Sequence, residues 1–365
     1  MTAARVVLVG SGSLARAVCS SLAVASRVPL AVTVLARSAA TAAEVAYVAG
    51  TRAVLAGRPV TVDPLARDLT DPAALADAIG TLDPAVVLVL ASYQSPWERM
   101  DRPSGWTDFA ARAGTAATLP LQAALAADVA AAVATAAPGC LLLNGCFPDA
   151  VNPLLAACGL PVHCGIGNAA ILAATLQAAL GLADQRGLAV LAHHLHLREP
   201  PADADEARAW VGDRPVRDVV ALLAAQRAAD PREVNAITGL GAAQLLAALV
   251  AGEEAYASLP GPLGLPGGYP VRLRGAELEL RLPAGLDRAD AVAWNQRMAD
   301  LDGVRVADGR VIPSAAGAEA LERYLPDVAR GWPARDTPAV AAALLDLRTR
   351  LRTTGPASGP RTEDR

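Results

Sequence analysis

Lysine is absent from this chain: all 32 Lys+Arg positions are arginine. Without a primary side-chain amine, lysine Schiff-base chemistry, covalent pyridoxal phosphate attachment and the phosphate-loop lysine are all excluded. Aromatic residues make up only 3% of the 365 residues, although 53% are hydrophobic, many of them alanine. Helices in such a chain pack closely on small side chains, and the apolar content suffices for the cores of the two domains that this length suggests. Disordered and fibrous classes are thereby excluded. The net charge is −4 and the arginines form no basic stripe, which speaks against a nucleic-acid partner. Two apolar runs are too short or too broken for a targeting or membrane segment. Val6 to Val9 is too short for a signal peptide, and the charge-free stretch from Ala150 to Ala183 is broken by Pro153, Gly159, Pro161, His163, Gly165 and Asn168. The expectation is a cytoplasmic protein with no membrane partner. The cysteines number five, without the paired spacing of a zinc knuckle, and read as free buried thiols.

What the sequence does contain begins at residue 5. Arg5 to Gly10 reads as a short strand that runs into Gly10-Ser-Gly12-Ser13-Leu14-Ala15 and then an apolar-periodic helix through Leu22. Gly10 permits the tight turn, Gly12 lets backbone approach a pyrophosphate, and Ala15 is small enough for close helix–strand packing. The amides of Ser13 and Leu14 at the helix start then face the anion. A dinucleotide site is expected here. The second strand, Leu30 to Leu35, ends in Ala36-Arg37-Ser38 rather than an acid. Arg37 and Ser38 suit a ribose 2′-phosphate, so NADP(H) is favoured over NAD(H). Strands at Val60 to Val62 and Ala85 to Leu90 flank a helix from Asp71 to Ile79. The loop after the fourth strand, with Ser92 and Gln94, leaves the sheet edge where the nicotinamide end lies. Arg99 and Arg102 follow it, and a guanidinium there suits an anionic substrate.

A helix from Leu119 to Ala136 and a strand from Cys140 to Leu143 lead to Asn144, a polar amide at a strand end, and on to Pro148. A helix follows to Ala157, then Gly165-Ile-Gly167-Asn168 opens another to Leu182, and a strand from Leu188 to Ala192 enters His193-His194-Leu195-His196. Three of only four histidines stand in that cluster. In a continued strand His194 and His196 would share one face and His193 the other. Imidazole titrates near working pH, which makes His194 the candidate general acid/base.

From Arg5 to Glu199 this order of parts resembles the lactate/malate dehydrogenase superfamily, which also contains the NAD-dependent family 4 glycosidases. The resemblance implies contact with substrate and nicotinamide for Asn144, a substrate-side place for Asn168 and a catalytic role for His193 or His194. It departs at Ala169 to Ala179, which lacks the family's aspartate and arginine. The glycosidase branch implies a divalent metal on Cys164 and His194.

In the second half, Val216 to Ala229 and Gly241 to Leu259 have helical periodicity, and Tyr269 to Leu273 with Glu277 to Leu282 form a hairpin. Asp287 and Thr337 start two further helices. The fold class is α/β, a Rossmann-type doubly wound parallel sheet with a second α+β domain for substrate and dimerisation. The expected boundaries are 1–150 and 151–352, with a disordered tail over 353–365. The function this implies is an NADP(H)-dependent oxidoreductase acting as a homodimer on a small carbonyl, alcohol or imine. A redox-neutral, metal-dependent enzyme and a non-catalytic nucleotide sensor are the alternatives.

Overall fold

The computed structural model describes residues 2–355. Strands β1 (Ala4–Val9), β2 (Leu30–Ala36), β3 (Val60–Ala66), β4 (Val86–Val89), β5 (Leu141–Asn144) and β6 (Cys164–Gly165) form one sheet in the order β3-β2-β1-β4-β5-β6. Every pairing in it is parallel. The unbroken apolar runs Val6 to Val9 and Val86 to Val89 are fully buried, as strands covered on both faces must be. The cover comes from α1 (Ser13–Ala25), α2 (Ala39–Leu55), α3 (Pro72–Leu82), the short α4 (Glu98–Asp101), α5 (Gly105–Ala113), α6 (Thr115–Ala136) and α7 (Pro148–Ala157). Asp71 caps α3 as expected, accepting the Ala73 and Ala74 amides with Pro72 at the first helical position. Helix α6 starts a turn earlier than expected and carries Pro120 inside it. The sixth strand takes the sheet past residue 150.

Beyond the sheet lie α8 (Ala169–Ala179), β7 (Leu188–Leu191), β8 (Arg208–Val211), β9 (Arg214–Pro215), α9 (Val219–Ala228), α10 (Pro231–Ala251), β10 (Glu254–Pro260), β11 (Gly268–Arg274), β12 (Glu277–Leu280) and α11 (Arg288–Asp302). The chain closes with β13 (Val304–Ala307), β14 (Arg310–Pro313), α12 (Ala315–Glu322), α13 (Pro326–Ala329), β15 (Trp332–Pro333) and α14 (Thr337–Arg352). The nine strands make three antiparallel sheets of three. The expected hairpin across Gly275 is present as β11–β12. The helix expected to run to Leu259 instead stops at Gly252, whose left-handed φ of 67° ends α10, and the following residues pair as β10.

The two halves are packed into each other. Val304, Val311, Trp332 and Leu344 from the C-terminal segment share one core with α6 and β5. Helix α10 lies on α1 so closely that a Cβ on Gly239 would stand 2.6 Å from the backbone of Ala17. Helices α6 and α10 are long and apolar enough to cross a membrane by length and composition, and the apolar window of α6 is 72% buried inside the fold. Of the tail expected from residue 353, Thr354 accepts the Gly105 amide at 3.1 Å, and residues 356–365 lie outside those described.

Candidate active site

A cavity of about 1050 Å³ opens beyond the carboxyl ends of β1, β2, β4 and β5. Gly10 sits at its base with φ of 130°, and a Cβ there would lie 3.0 Å from the Leu90 carbonyl, so the turn needs glycine. Nothing stands within 4 Å of a Cβ built on Gly12. Helix α1 begins at Ser13 with no capping side chain and no acid in its first turn. Its first amides therefore await an acceptor beside the cavity, while Ala15 is fully buried behind them. A dinucleotide diphosphate fits that cradle. Arg37 and Ser38 line the cavity where β2 ends. Ser38 Oγ accepts the Thr41 amide at 3.3 Å as the cap of α2, which leaves its hydroxyl proton to donate. Among the described residues no ion pair holds Arg37.

The loop after β4 is braced from within. Ser92 and Gln94 line the cavity, but Ser92 Oγ donates to the Gln94 carbonyl at 2.8 Å. The Gln94 amide donates to Ser95 O and Glu98 Oε2, both at 3.1 Å, and accepts from Trp106 Nε1 at 3.3 Å. Glu98 in turn accepts Arg352 Nε at 2.7 Å from the C-terminal helix. These groups shape the loop more than they present hydrogen bonds to a ligand. Arg99 and Arg102 are exposed and do not line the cavity, because α4 buries Glu98 and turns its neighbours outward.

Asn144 is also placed differently from the expectation. It is fully buried and does not line the cavity. Its amide donates to Cys146 O at 3.1 Å and Asn152 Oδ1 at 2.9 Å, and its Oδ1 accepts the Cys146 amide at 2.8 Å. Asn152 continues to Gly261 O at 2.9 Å. Asn144 thus pins the turn between β5 and α7, which ends on Phe147 in a left-handed conformation at the cavity wall. Cys164 is likewise outside the cavity that His194 lines, in the sheet core, where burial pushes its thiol up to about 12. Among the described residues no three His, Cys, Asp or Glu side chains gather as a metal site. The structure thus does not bring Cys164 and His194, the expected metal pair, to the same cavity.

The histidine cluster is a turn rather than a strand. Strand β7 ends at Leu191, and His194–Leu197 form a single 3-10 turn. His193 and His196 consequently fold inward together: His196 Nδ1 accepts the His193 amide at 2.8 Å, and its Nε2 faces Asp205 O at 2.7 Å. That partnership makes His196 a neutral Nε2–H imidazole, stacked on Trp294 at 5.3 Å. Burial lowers the pKa of both. His194 alone of the three lines the cavity, under the edge of Phe147 at 4.9 Å.

Two buried carboxylates hold His194. Asp149 Oδ1 accepts its backbone amide at 2.9 Å, while Oδ2 accepts the side-chain amide of Asn168, another cavity residue. His194 Nδ1 faces Asp302 Oδ2 at 2.8 Å, and the Asp302 side chain is wholly buried. Burial pulls the imidazole down, but the charge and hydrogen bond of Asp302, with Asp149 behind them, outweigh it and raise its pKa. Burial likewise favours neutral Asp302, and His194 outweighs that to hold the carboxyl below its ordinary value. Arg198 Nη2 lies 3.4 Å from Asp302 Oδ1, its side chain 71% exposed and part of the cavity wall. Arg227 on α9 grips Glu206 at 2.8 and 2.9 Å and the His196 carbonyl at 3.1 Å, fixing the turn from behind. Asp149, Arg198 and Asp302 were not among the expected site residues. The one local signal for Asp302 is an acid closing a helix, where the macrodipole disfavours it.

No family model and no curated protein matches the chain. Solved structures do match in fold. A lactate dehydrogenase from a Medee basin deep-sea metagenome library aligns with a TM-score of 0.55 at 14% identity, covering 83% of this chain and 99% of its own. Malate dehydrogenase from Salinibacter ruber aligns at 0.51 and 13% identity, covering 88% and 99%. Lactate dehydrogenase from Cryptosporidium parvum, complexed with lactic acid and β-nicotinamide adenine dinucleotide, gives 0.50 and 13%, covering 83% and 96%. At these identities the likeness is one of fold. The Rossmann-type sheet with its second domain is arranged as in lactate and malate dehydrogenases, a distant relationship of architecture.

Proposed function

We propose that this chain is an NADP(H)-dependent dehydrogenase or reductase acting on a small carbonyl, alcohol or imine. The observation that carries the reading is the His194–Asp302 contact at 2.8 Å on the cavity that the Gly10 to Ala15 turn also lines. A dinucleotide bound there supplies one hydride donor or acceptor. The amides of Ser13 and Leu14 hold its diphosphate, and Arg37 with Ser38 takes the 2′-phosphate.

The raised pKa of His194 keeps the imidazole charged towards neutral pH, ready to give its Nε2 proton to a substrate oxygen or nitrogen as a carbonyl or imine carbon is reduced. In the reverse direction neutral Nε2 accepts that proton. Asp302 fixes the ring through Nδ1 and stabilises the imidazolium, and Asp149 fixes the backbone beneath it. Arg198, rather than Arg99 or Arg102, is the guanidinium able to anchor an anionic group on the substrate, and Asn168 keeps a carbonyl oxygen to accept from it.

With Cys164 outside the cavity that His194 lines, the metal-dependent alternative lacks the pair it was read from. The setting we propose is a cytoplasmic homodimer with neither nucleic acid nor membrane as partner. All five cysteines are free, as a reducing compartment keeps them. The test is a fluorescence titration with NADPH and with NADH, followed by a screen of carbonyl and imine substrates with wild type and His194→Gln. NADPH binding with turnover that His194→Gln abolishes supports the proposal. Binding of neither dinucleotide overturns it.

A further inference from the structure

The diphosphate cradle has contributors from outside the glycine turn. Ser13, the first residue of α1, accepts Trp97 Nε1–H at 3.2 Å and Asn235 Nδ2–H at 3.3 Å on its one hydroxyl oxygen. Trp97 comes from the loop after β4 and Asn235 from the first turns of α10, and all three line the cavity. The two donating elements are also joined to each other. Arg232 on α10 pairs with Asp101 and lies over the Trp97 ring at 5.7 Å.

A serine hydroxyl has two acceptor lone pairs and one proton. With both lone pairs engaged by N–H groups, only the proton remains to be given, and the exposed hydroxyl gives it to solvent or to a bound ligand. The oxygen's immediate neighbours at the start of α1 are amides, which are donors themselves. An anion held at the start of α1 would displace that solvent and meet both the helix amides and the Ser13 proton. Two incoming N–H bonds also polarise the O–H and strengthen the bond it gives.

We propose that Trp97 and Asn235 are positioning residues for the dinucleotide: by occupying both lone pairs of Ser13 Oγ they turn its proton towards the diphosphate, and so couple cofactor binding to contact between the β4 loop and α10. The inference rests on the dinucleotide reading above. Its chemistry is specific to the diphosphate, since a ligand lacking that group leaves the Ser13 proton to solvent and gains nothing from it.

Isothermal titration calorimetry of the full chain tests it with NADPH and with adenosine 2′-monophosphate, which has no diphosphate. The variants are Ser13→Ala, Trp97→Phe, Asn235→Ala and each of the last two combined with Ser13→Ala. We expect Ser13→Ala to weaken NADPH binding roughly tenfold, as loss of a hydrogen bond to a charged group does. Trp97→Phe and Asn235→Ala should each weaken it about threefold when Ser13 is present and leave it unchanged when combined with Ser13→Ala. Adenosine 2′-monophosphate should bind all variants alike. Equal losses with and without Ser13, or equal losses for both ligands, overturn the proposal. Wild type that binds adenosine 2′-monophosphate and NADPH equally well overturns it too. Wild type that binds neither ligand instead overturns the dinucleotide reading on which it stands.

Discussion

Replacing Asp302 by Asn removes a carboxylate but keeps the size of the side chain, and the structure says what that does to His194. The carboxylate is wholly buried and meets Nδ1 at 2.8 Å, nearer than Arg198 Nη2 at 3.4 Å or His193 Nδ1 at 3.8 Å, so water competes little for the contact. A hydrogen bond to a charged group of this kind contributes about 2 kcal/mol, or about thirtyfold in the protonation equilibrium of the imidazole. Asp302→Asn should therefore make His194 easier to deprotonate by roughly that factor. The assay is a histidine ring nitrogen NMR titration. The chain has four histidines, and burial lowers the pKa of His163, His193 and His196, so the highest-titrating resonance is assigned to His194. In the variant that resonance should move to lower pH, and carbonyl reduction should fail first on the alkaline side. A midpoint that stays in place or rises refutes the dyad.

The same pair sets a stability profile. Because the folded pKa of His194 is raised, its contribution is complete below the ordinary imidazole value and is lost as pH rises through the folded one. Because Asp302 is lowered, its contribution is present above the ordinary carboxylate value and lost as pH falls through the folded one. The Tm advantage of wild type over Asp302→Asn should thus be greatest on the acid side of neutrality and narrow as the solution is made alkaline. An advantage that grows with alkalinity contradicts the charge assignment.

Arg37→Glu should weaken NADPH binding about tenfold or more while sparing NADH, because a charge-assisted pair is replaced by repulsion of a 2′-phosphate; competitive titration reads the ratio. Asn144→Ala should lower stability by about 2 kcal/mol, since the Asn152 side chain and the Cys146 backbone lose buried partners; thermal melts measure this, and KM for substrate should hold in the folded fraction. Gly239→Val should cost about 2 to 3 kcal/mol by forcing α10 off the Ala17 backbone; a melt unchanged from wild type would show that the helices can part freely.

The first half of the fold was legible because its signals are local. A β-branched run, a glycine turn and an apolar-periodic helix are contiguous, and Asp71-Pro72 marks a helix start by its own chemistry. The site was legible mainly where it too is local: Gly10, Gly12, Ser13, Leu14, Ala15, Arg37, Ser38, Ser92, Gln94, Asn168 and His194 all lie on the cavity or directly behind it. Period-two alternation was extended one turn too far at His193, because nothing in the sequence announces that β7 stops at Leu191. Asn144 was read from its place at a strand end, but a buried amide there serves its own turn when Asn152 is eight residues on.

Asp302 was out of reach for a reason the packing supplies. The resemblance implied an aspartate on the helix after the glycine segment, and α8 has none; its first residue is flush against β11, where Ala169 is fully buried and a Cβ on Gly268 would collide with its own. The histidine's partner is supplied instead by the last residue of α11, 108 positions from His194. There Gly303, at φ of 117°, turns the chain as the helix ends. An acid at a helix C-terminus is unfavourable unless a cation meets it, so the burial of Asp302 and the raised pKa of His194 are two sides of one contact. It follows that the dyad should be coupled to the α11–β13 junction. A substitution that shifts that junction, such as Gly303→Val with a Cβ at 3.0 Å from Thr115 Oγ1 on the cavity wall, should lower the His194 titration midpoint.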